Sequence, residues 1–144
     1  GSNKISPLTT SRKSERPCRM DEAFWQGVSE FNLGEFYACH DTLEALWMES
    51  SEPTKSFYQG ILQIAVAAYH LENGNWQGAV TLLGEGIRRL YSYQPDYGEI
   101  NVTHLVEQSS ELLQFLQPIP PEKFPAIVKE LSAKSFPKIL KIDA

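Results

Sequence analysis

The stretch from Pro53 to Asn73 constrains the fold most, because it is apolar on almost every side when read as a helix. Its apolar residues follow helical spacing at Phe57, Tyr58, Ile61, Leu62, Ile64, Ala65, Ala68 and Tyr69. A helix that is apolar all round lies inside a protein rather than on its surface. We therefore predict a central helix with other helices packed around it.

Apolar residues at helical spacing predict further helices on both sides of this central one. Asp21 and Asn101 are suitable N-caps, and Gly34 and Gly74 are suitable helix ends. The predicted helices run from the cap at 21 to about 32, from 34 to about 49, from 53 to about 73, from 76 to 90, from the cap at 101 to the prolines at 118–121, and from 122 to about 131. Because no stretch shows the sustained alternation of a strand, the predicted fold class is all-α.

A faint internal repeat relates residues 31–38 to residues 71–78. In both, a helix ends at a glycine, and an aromatic residue two positions later opens the next helix. The repeat predicts antiparallel helix pairs. Because two units are too few for a solenoid, we predict a closed bundle of five to six helices built from these pairs.

Length and composition indicate one globular domain: 144 residues, of which 42% are hydrophobic and 22% are charged. The domain is predicted over residues 20–134, with a flexible tail at 1–19 and a C-terminal tail at 135–144. The net charge of -5 argues against nucleic acid as a partner. No apolar run approaches the roughly 18 residues that a membrane span needs, so no membrane partner is expected.

The two cysteines, Cys18 and Cys39, do not suggest a disulfide framework, and we predict a reducing, cytoplasmic location. The Ser- and Arg-rich, acid-poor start of the chain is also typical of an organelle transit peptide. An ordinary tail is favoured because no amphipathic Arg helix is visible. A plastid location stays open as the alternative.

Polar side chains interrupt the apolar faces of the second and third helices. His40 and Glu44 are four residues apart and therefore share one side of the second helix. On the third helix lie Gln59, Gln63 and His70, of which the last two are about two turns apart. Because a short connection makes these helices antiparallel neighbours, we expect His40 and Glu44 to be mostly buried and hydrogen-bonded to each other, to Gln63 or to His70.

Three interpretations of this polar cluster are open. The favoured one is a buried hydrogen-bond network, since unpaired buried polar groups are costly. The second is a small-ligand pocket lined by Trp25, Trp47 and Tyr58. The third is a divalent-metal site, because two imidazoles and a carboxylate form a plausible ligand set. No His-Glu-x-x-His run supports a metal site, so we expect no metal and no cofactor.

The residues discussed above form three blocks that match a known pattern: Phe31-Asn32-x-Gly34-x-Phe36-x-x-x-His40-x-x-x-Glu44-x-x-Trp47, Gln59-Gly60-x-x-Gln63-x-Ala65-Val66-Ala67-x-x-His70, and Gly74-Asn75-x-x-Gly78-Ala79. Over about residues 24–91 the pattern resembles the bacterial and plastid family filed as domain of unknown function 309. The resemblance implies a small all-helical domain without an established activity. It also implies signature positions without assigned roles at His40, Glu44, Trp47, Gln63 and His70. Cys39 stands where the family usually has a small residue such as Ala, which weighs against a shared thiol chemistry.

The function predicted from these observations is a binding or interaction module built around a buried polar pocket. Its candidate residues are His40, Glu44, Trp47, Gln59, Gln63 and His70. The partner is predicted to be a small molecule or a protein, and an oligomer is left open. One alternative is a metal-dependent hydrolase that uses His40, Glu44 and His70, and another is a purely structural scaffold. Whether the protein is an enzyme is left open.

Overall fold

The computed structural model describes residues 20–131 and 135–142, and this part of the chain is mainly helical. Its α-helices are α1 (Glu22–Asn32), α2 (Phe36–Glu49), α3 (Thr54–Glu72), α4 (Trp76–Leu90), α5 (Val102–Leu116) and α6 (Phe124–Val128). Short 3₁₀ helices span Tyr91–Tyr93 and Pro121–Lys123. The predicted all-α fold class is confirmed.

The helix α3 is the centre of the bundle, as its apolar composition predicts. It packs against α2 on one side and against α4 on the other, while α1 packs on α2 and α5 packs on α4. Its buried residues are Phe57, Tyr58, Gly60, Ile61, Ile64, Ala65, Ala67, Ala68 and Leu71. The first four helices therefore stack in chain order, with the neighbours of α3 covering most of its apolar surface.

The predicted internal repeat has a structural counterpart in the turns that end α1 and α3. Gly34 and Gly74 have φ values of +80° and +75°, a conformation that glycine adopts without steric cost. In both turns the amide that follows the glycine donates to the carbonyl five residues earlier at 2.8 Å. This pairing is the Schellman geometry that closes a helix C-terminus. Phe36 and Trp76 then begin the next helix, as predicted.

Two local features differ from the sequence-based expectation. No strand was predicted between the helix that ends at 90 and the cap at Asn101, but this stretch contains a small antiparallel hairpin of β1 (Asp96–Tyr97) and β2 (Ile100–Asn101). Strands of two residues are too short to show alternation, so the pattern is invisible in the sequence. The last helix was predicted over 122–131 and is shorter, because a 3₁₀ turn opens this region after Pro120.

Residues 135–142, within the predicted C-terminal tail, pack onto the helices. The side chains of Phe136 and Ile139 are 8% and 2% exposed. The predicted tail at residues 1–19 lies outside the described residues. Within the described ranges, no helix is both long and apolar enough to cross a membrane.

Candidate functional site: a ring row and an acidic face

His40 lies between two carboxylates of its own helix. Its Nδ1 is 3.2 Å from Oδ1 of Asp41, and its Nε2 is 3.9 Å from Oε2 of Glu44. The predicted contact between His40 and Glu44 is therefore present as a loose pair. The predicted burial is wrong for Glu44, whose side chain is 49% exposed, and the His40 side chain is only partly buried, at 32% exposed.

The reason for this error is the angular position of the two residues on α2. The buried face of the helix is formed by Phe36, Cys39, Leu43 and Leu46. His40 and Glu44 each follow a buried residue by one position, which turns the side chain by about 100° around the helix axis. They therefore lie at the outer edge of the contact between α2 and α3.

Four aromatic rings form a row across the surface of α2 and α3. The centroids of His40 and Tyr37 are 6.4 Å apart, those of Tyr37 and Tyr69 are 5.9 Å apart, and those of Tyr69 and His70 are 6.1 Å apart. We call these four residues the ring row. Tyr37 is 65% exposed and Tyr69 is 38% exposed, so the row is open to solvent.

The contacts of His40 or Glu44 with Gln63 or His70, expected as alternatives to the pair between His40 and Glu44, do not form. Gln63 faces α4, where its Oε1 accepts from Nε of Arg89 at 3.2 Å and its Nε2 lies 3.4 Å from Glu85. His70 is bonded to the residue that caps α4, with its Nδ1 3.3 Å from the side-chain amide of Asn75. Both residues are drawn toward α4 because that helix, rather than α2, supplies their hydrogen-bonding partners.

The metal-ligand set considered from the sequence does not form. Tyr37 and Tyr69 lie between His40 and His70 in the ring row, which keeps the two imidazoles apart. Over residues 20–131 and 135–142, no three His, Cys, Asp or Glu side chains lie close enough together to hold a metal ion. The proposed hydrolase with His40, Glu44 and His70 as ligands is therefore not supported by the geometry.

The aromatic residues predicted to line a pocket are covered by neighbouring side chains. Tyr58 is 6% exposed and its ring lies 5.8 Å from that of Phe24. The ammonium of Lys141 lies 4.6 Å from the centre of the Trp25 ring. A crevice between α3, α4 and α5 has an apolar lining of Ile64, Ala67, Ala68, Leu71, Ala79, Leu83, Leu112 and Pro137. The polar candidate residues are not part of it.

Charge on α2 and α3 is strongly one-sided. From residue 36 to residue 72 the sequence has five acidic residues (Asp41, Glu44, Glu49, Glu52 and Glu72) and a single basic one, Lys55. The ammonium of that lysine lies 4.3 Å from the centre of the Trp47 ring. We call the surface formed by Tyr37, His40, Asp41, Glu44 and Tyr69 the acidic aromatic face.

The half-buried Gln59 lies on α3, one turn after Lys55.

Cys39 cannot act as a nucleophile at neutral pH, although it precedes His40 in the sequence. Its side chain is fully buried. Burial, with a smaller effect from the Glu30 carboxylate, raises the pKa of the Cys39 thiol to about 12. A thiol that keeps its proton is a poor nucleophile and a poor metal ligand.

Sequence reasoning also missed the role of the glycines between α3 and α4. A Cβ added at Gly60 would lie 2.6 Å from the Leu90 side chain, and one at Gly86 would lie 2.6 Å from Ile64. These glycines therefore let the two helices approach closely. The available signal was the presence of glycine inside a helical pattern with no turn nearby.

Comparison with known proteins supports the resemblance noted from the sequence. Residues 24–82 match the profile of a family described as domain of unknown function (DUF309). The resemblance to DUF309 is confirmed. The DUF309 match spans α1, α2, α3 and the first half of α4, so it contains the whole acidic aromatic face.

Two other proteins are similar in sequence to part of this chain. The uncharacterized protein YpuF of Bacillus subtilis (strain 168) is 29% identical over 86 residues, which are 59% of this chain and 47% of that protein. An uncharacterized protein of Aquifex aeolicus (strain VF5) is 25% identical over 84 residues, which are 58% of this chain and 25% of that protein. The matched residues thus span about half the length of the first relative and a quarter of the second.

Proposed function

We propose that this protein is a protein-interaction module whose acidic aromatic face binds a basic segment of a partner protein. The observation that carries the proposal is the ring row, an exposed set of aromatic side chains beside two carboxylates. Tyrosine is typical of protein interfaces, because it adds a large contact area at a low cost in conformational entropy.

Charge complementarity favours a basic partner. Asp41 and Glu44 flank the ring row, and Lys55 is the only basic residue from α2 to α3. Lysine and arginine side chains can pair with these carboxylates and can also lie over the faces of Tyr37 and Tyr69. An acidic partner would be repelled by the same surface.

The molecule itself contains two examples of the contact that we propose. Lys55 lies over the ring of Trp47, and Lys141 lies over the ring of Trp25. In both cases an ammonium group covers an aromatic ring at the edge of the bundle. A basic partner segment would make the same contact with the open rings of the acidic aromatic face.

The test uses the full chain and a defined probe, a labelled dodecapeptide of alternating Lys and Leu, with the alternating Glu and Leu peptide as its counterpart. We expect the basic peptide to bind and to shift the backbone NMR signals of Tyr37, His40 and Glu44. The acidic peptide should not bind. Tyr37→Ala and Glu44→Lys should each raise the Kd of the basic peptide at least about tenfold, as expected when a central interface residue is lost.

Two control variants distinguish binding at the acidic aromatic face from nonspecific attraction of the peptide to a negatively charged protein. Tyr91→Ala removes another exposed tyrosine, and Glu111→Lys makes the same change of net charge on α5 as Glu44→Lys makes on α2. Both controls should leave the Kd unchanged. If Glu111→Lys weakens binding as much as Glu44→Lys does, binding is nonspecific and the proposal is wrong.

A further inference from the structure

Residues 135–142 form a segment outside the α-helices whose backbone is held by side-chain amides of the helices. The amide of Ile139 donates to Oδ1 of Asn32 at 2.8 Å, and Nδ2 of Asn32 donates back to the carbonyl of Ile139 at 2.9 Å. The amide of Lys138 donates to Oε1 of Gln108 at 2.8 Å. Because a carboxamide has the donor and acceptor of a peptide group, Asn32 pairs with the segment as a neighbouring strand would.

The hairpin of β1 and β2 forms further backbone hydrogen bonds with the end of the segment. The amide of Asn101 donates to the carbonyl of Leu140 at 2.8 Å, and the amide of Ile142 donates to the carbonyl of Glu99 at 2.8 Å. The segment therefore lies antiparallel beside β2 and extends the small sheet. Five backbone groups of the segment thus bond to Asn32, Gln108 and the hairpin.

The side chains of the segment divide into buried and open ones. Phe136 and Ile139 are buried, and the ring of Phe136 lies 5.5 Å from that of Phe36. Pro137 lines the apolar crevice between the helices. Leu140 and Ile142 are partly open to solvent, at 44% and 38% exposed. Main-chain bonds with pockets for a few side chains are the way in which proteins recognise extended peptides.

We propose that Asn32, Gln108 and residues 99–101 form a binding site for an extended peptide. The peptide has the pattern aromatic-Pro-x-aliphatic, as in residues 136–139. In this structure the chain's own residues 135–142 occupy the site, and they are exchangeable for the same residues of a second copy of the chain. Every contact just described joins the segment to the remainder of the fold, so a segment from a second copy makes identical contacts.

The first experiment weakens the resident segment in the full chain by Ile139→Ala and then adds a synthetic peptide of residues 135–144. We expect the peptide to raise the unfolding midpoint of the Ile139→Ala chain. A peptide carrying the same Ile139→Ala change should raise it far less. Adding Asn32→Ala to the chain should raise the Kd of the unmodified peptide at least about tenfold, since two hydrogen bonds are lost. Gln114→Ala, which changes an exposed amide on α5, is the matched control and should leave the Kd unchanged.

The second experiment uses the unmodified full chain and does not depend on the folding of any variant. An exchangeable segment must open without unfolding of the bundle, so the amides of Ile139 and Ile142 should exchange with deuterium at least about 100-fold faster than the amide of Ile64 in α3. Equal exchange rates overturn the proposal. It is also overturned if the peptide leaves a folded Ile139→Ala chain unaffected, or if binding is insensitive to Asn32→Ala.

Discussion

Burial of the Cys39 thiol makes the free energy of unfolding of the whole fold depend on pH. In the folded chain its pKa is raised to about 12, because burial disfavours the thiolate. In the unfolded chain the thiol loses its proton near pH 8.5. Between these two values the unfolded state binds fewer protons than the folded state, so the free energy of unfolding falls as the pH rises.

This sign gives a measurable prediction for the variant Cys39→Ala. The contribution of Cys39 is complete below about pH 8.5 and decreases above it, by up to about 1.4 kcal/mol per pH unit. The free energy of unfolding of the wild type minus that of the variant should therefore fall between pH 7 and pH 10. Urea unfolding at three pH values measures it, and a difference that does not change with pH contradicts the assignment.

A second prediction for a single residue concerns Glu44, whose side chain is half exposed beside His40. We expect Glu44→Ala to change the free energy of unfolding by less than about 0.5 kcal/mol, because exposed ion pairs contribute little. Asp41→Ala, at the other carboxylate next to His40, should behave in the same way. A loss well above 1 kcal/mol for Glu44→Ala in urea unfolding would indicate a buried network after all.

At the scale of helices, the sequence predicted the elements and their ends well, because caps act locally. The side chain of Asp21 accepts from the amide of Phe24 at 3.1 Å, and that of Asn101 accepts from the amide of His104 at 2.9 Å. The face on which a polar residue lies was harder to predict. One position rotates a side chain by about 100°, and spacing within a helix does not show which neighbour covers its flank.

The close approach of α3 and α4 leads to a paired prediction for two glycines of α4. A Cβ at Gly86 would lie 2.6 Å from Ile64 and 3.0 Å from the carbonyl of Gly60, whereas at Gly84 the nearest atom, in Leu113, is 4.0 Å away. Gly86→Ala should therefore destabilise the protein by about 1–3 kcal/mol, as overpacked cores do. Gly84→Ala should stabilise it by about 0.5–1 kcal/mol, because alanine favours helix formation.

Thermal and urea unfolding of the two variants check this pair. The control is internal, since both changes add one methyl group to the same helix. If both variants are stabilised, the contact between α3 and α4 is looser than the structure indicates. If both are destabilised, the space beside Gly84 is filled.

At the scale of the whole molecule, the packing of residues 135–142 was not predictable from the sequence. These eight residues show no helical period, and their backbone bonds go to residues far along the chain, such as Asn32. In the sequence, Asn32 stood out only because it belongs to the residue pattern that resembles DUF309. Its contact with Ile139 spans 107 residues, and one sequence does not reveal a pairing at that separation.

The last prediction measures how much this segment contributes to the stability of the whole fold. Phe136 is 8% exposed and packs against Phe36, whereas Leu140, four residues later, is 44% exposed. Phe136→Ala should lower the free energy of unfolding by about 3–5 kcal/mol, because it removes a buried aromatic side chain and leaves a cavity. Leu140→Ala should lower it far less, by about 0.5 kcal/mol, as is usual at the surface. Urea unfolding, followed by the fluorescence of Trp25, Trp47 and Trp76 together, reports both values. Equal and small losses would mean that residues 135–142 are a dispensable tail.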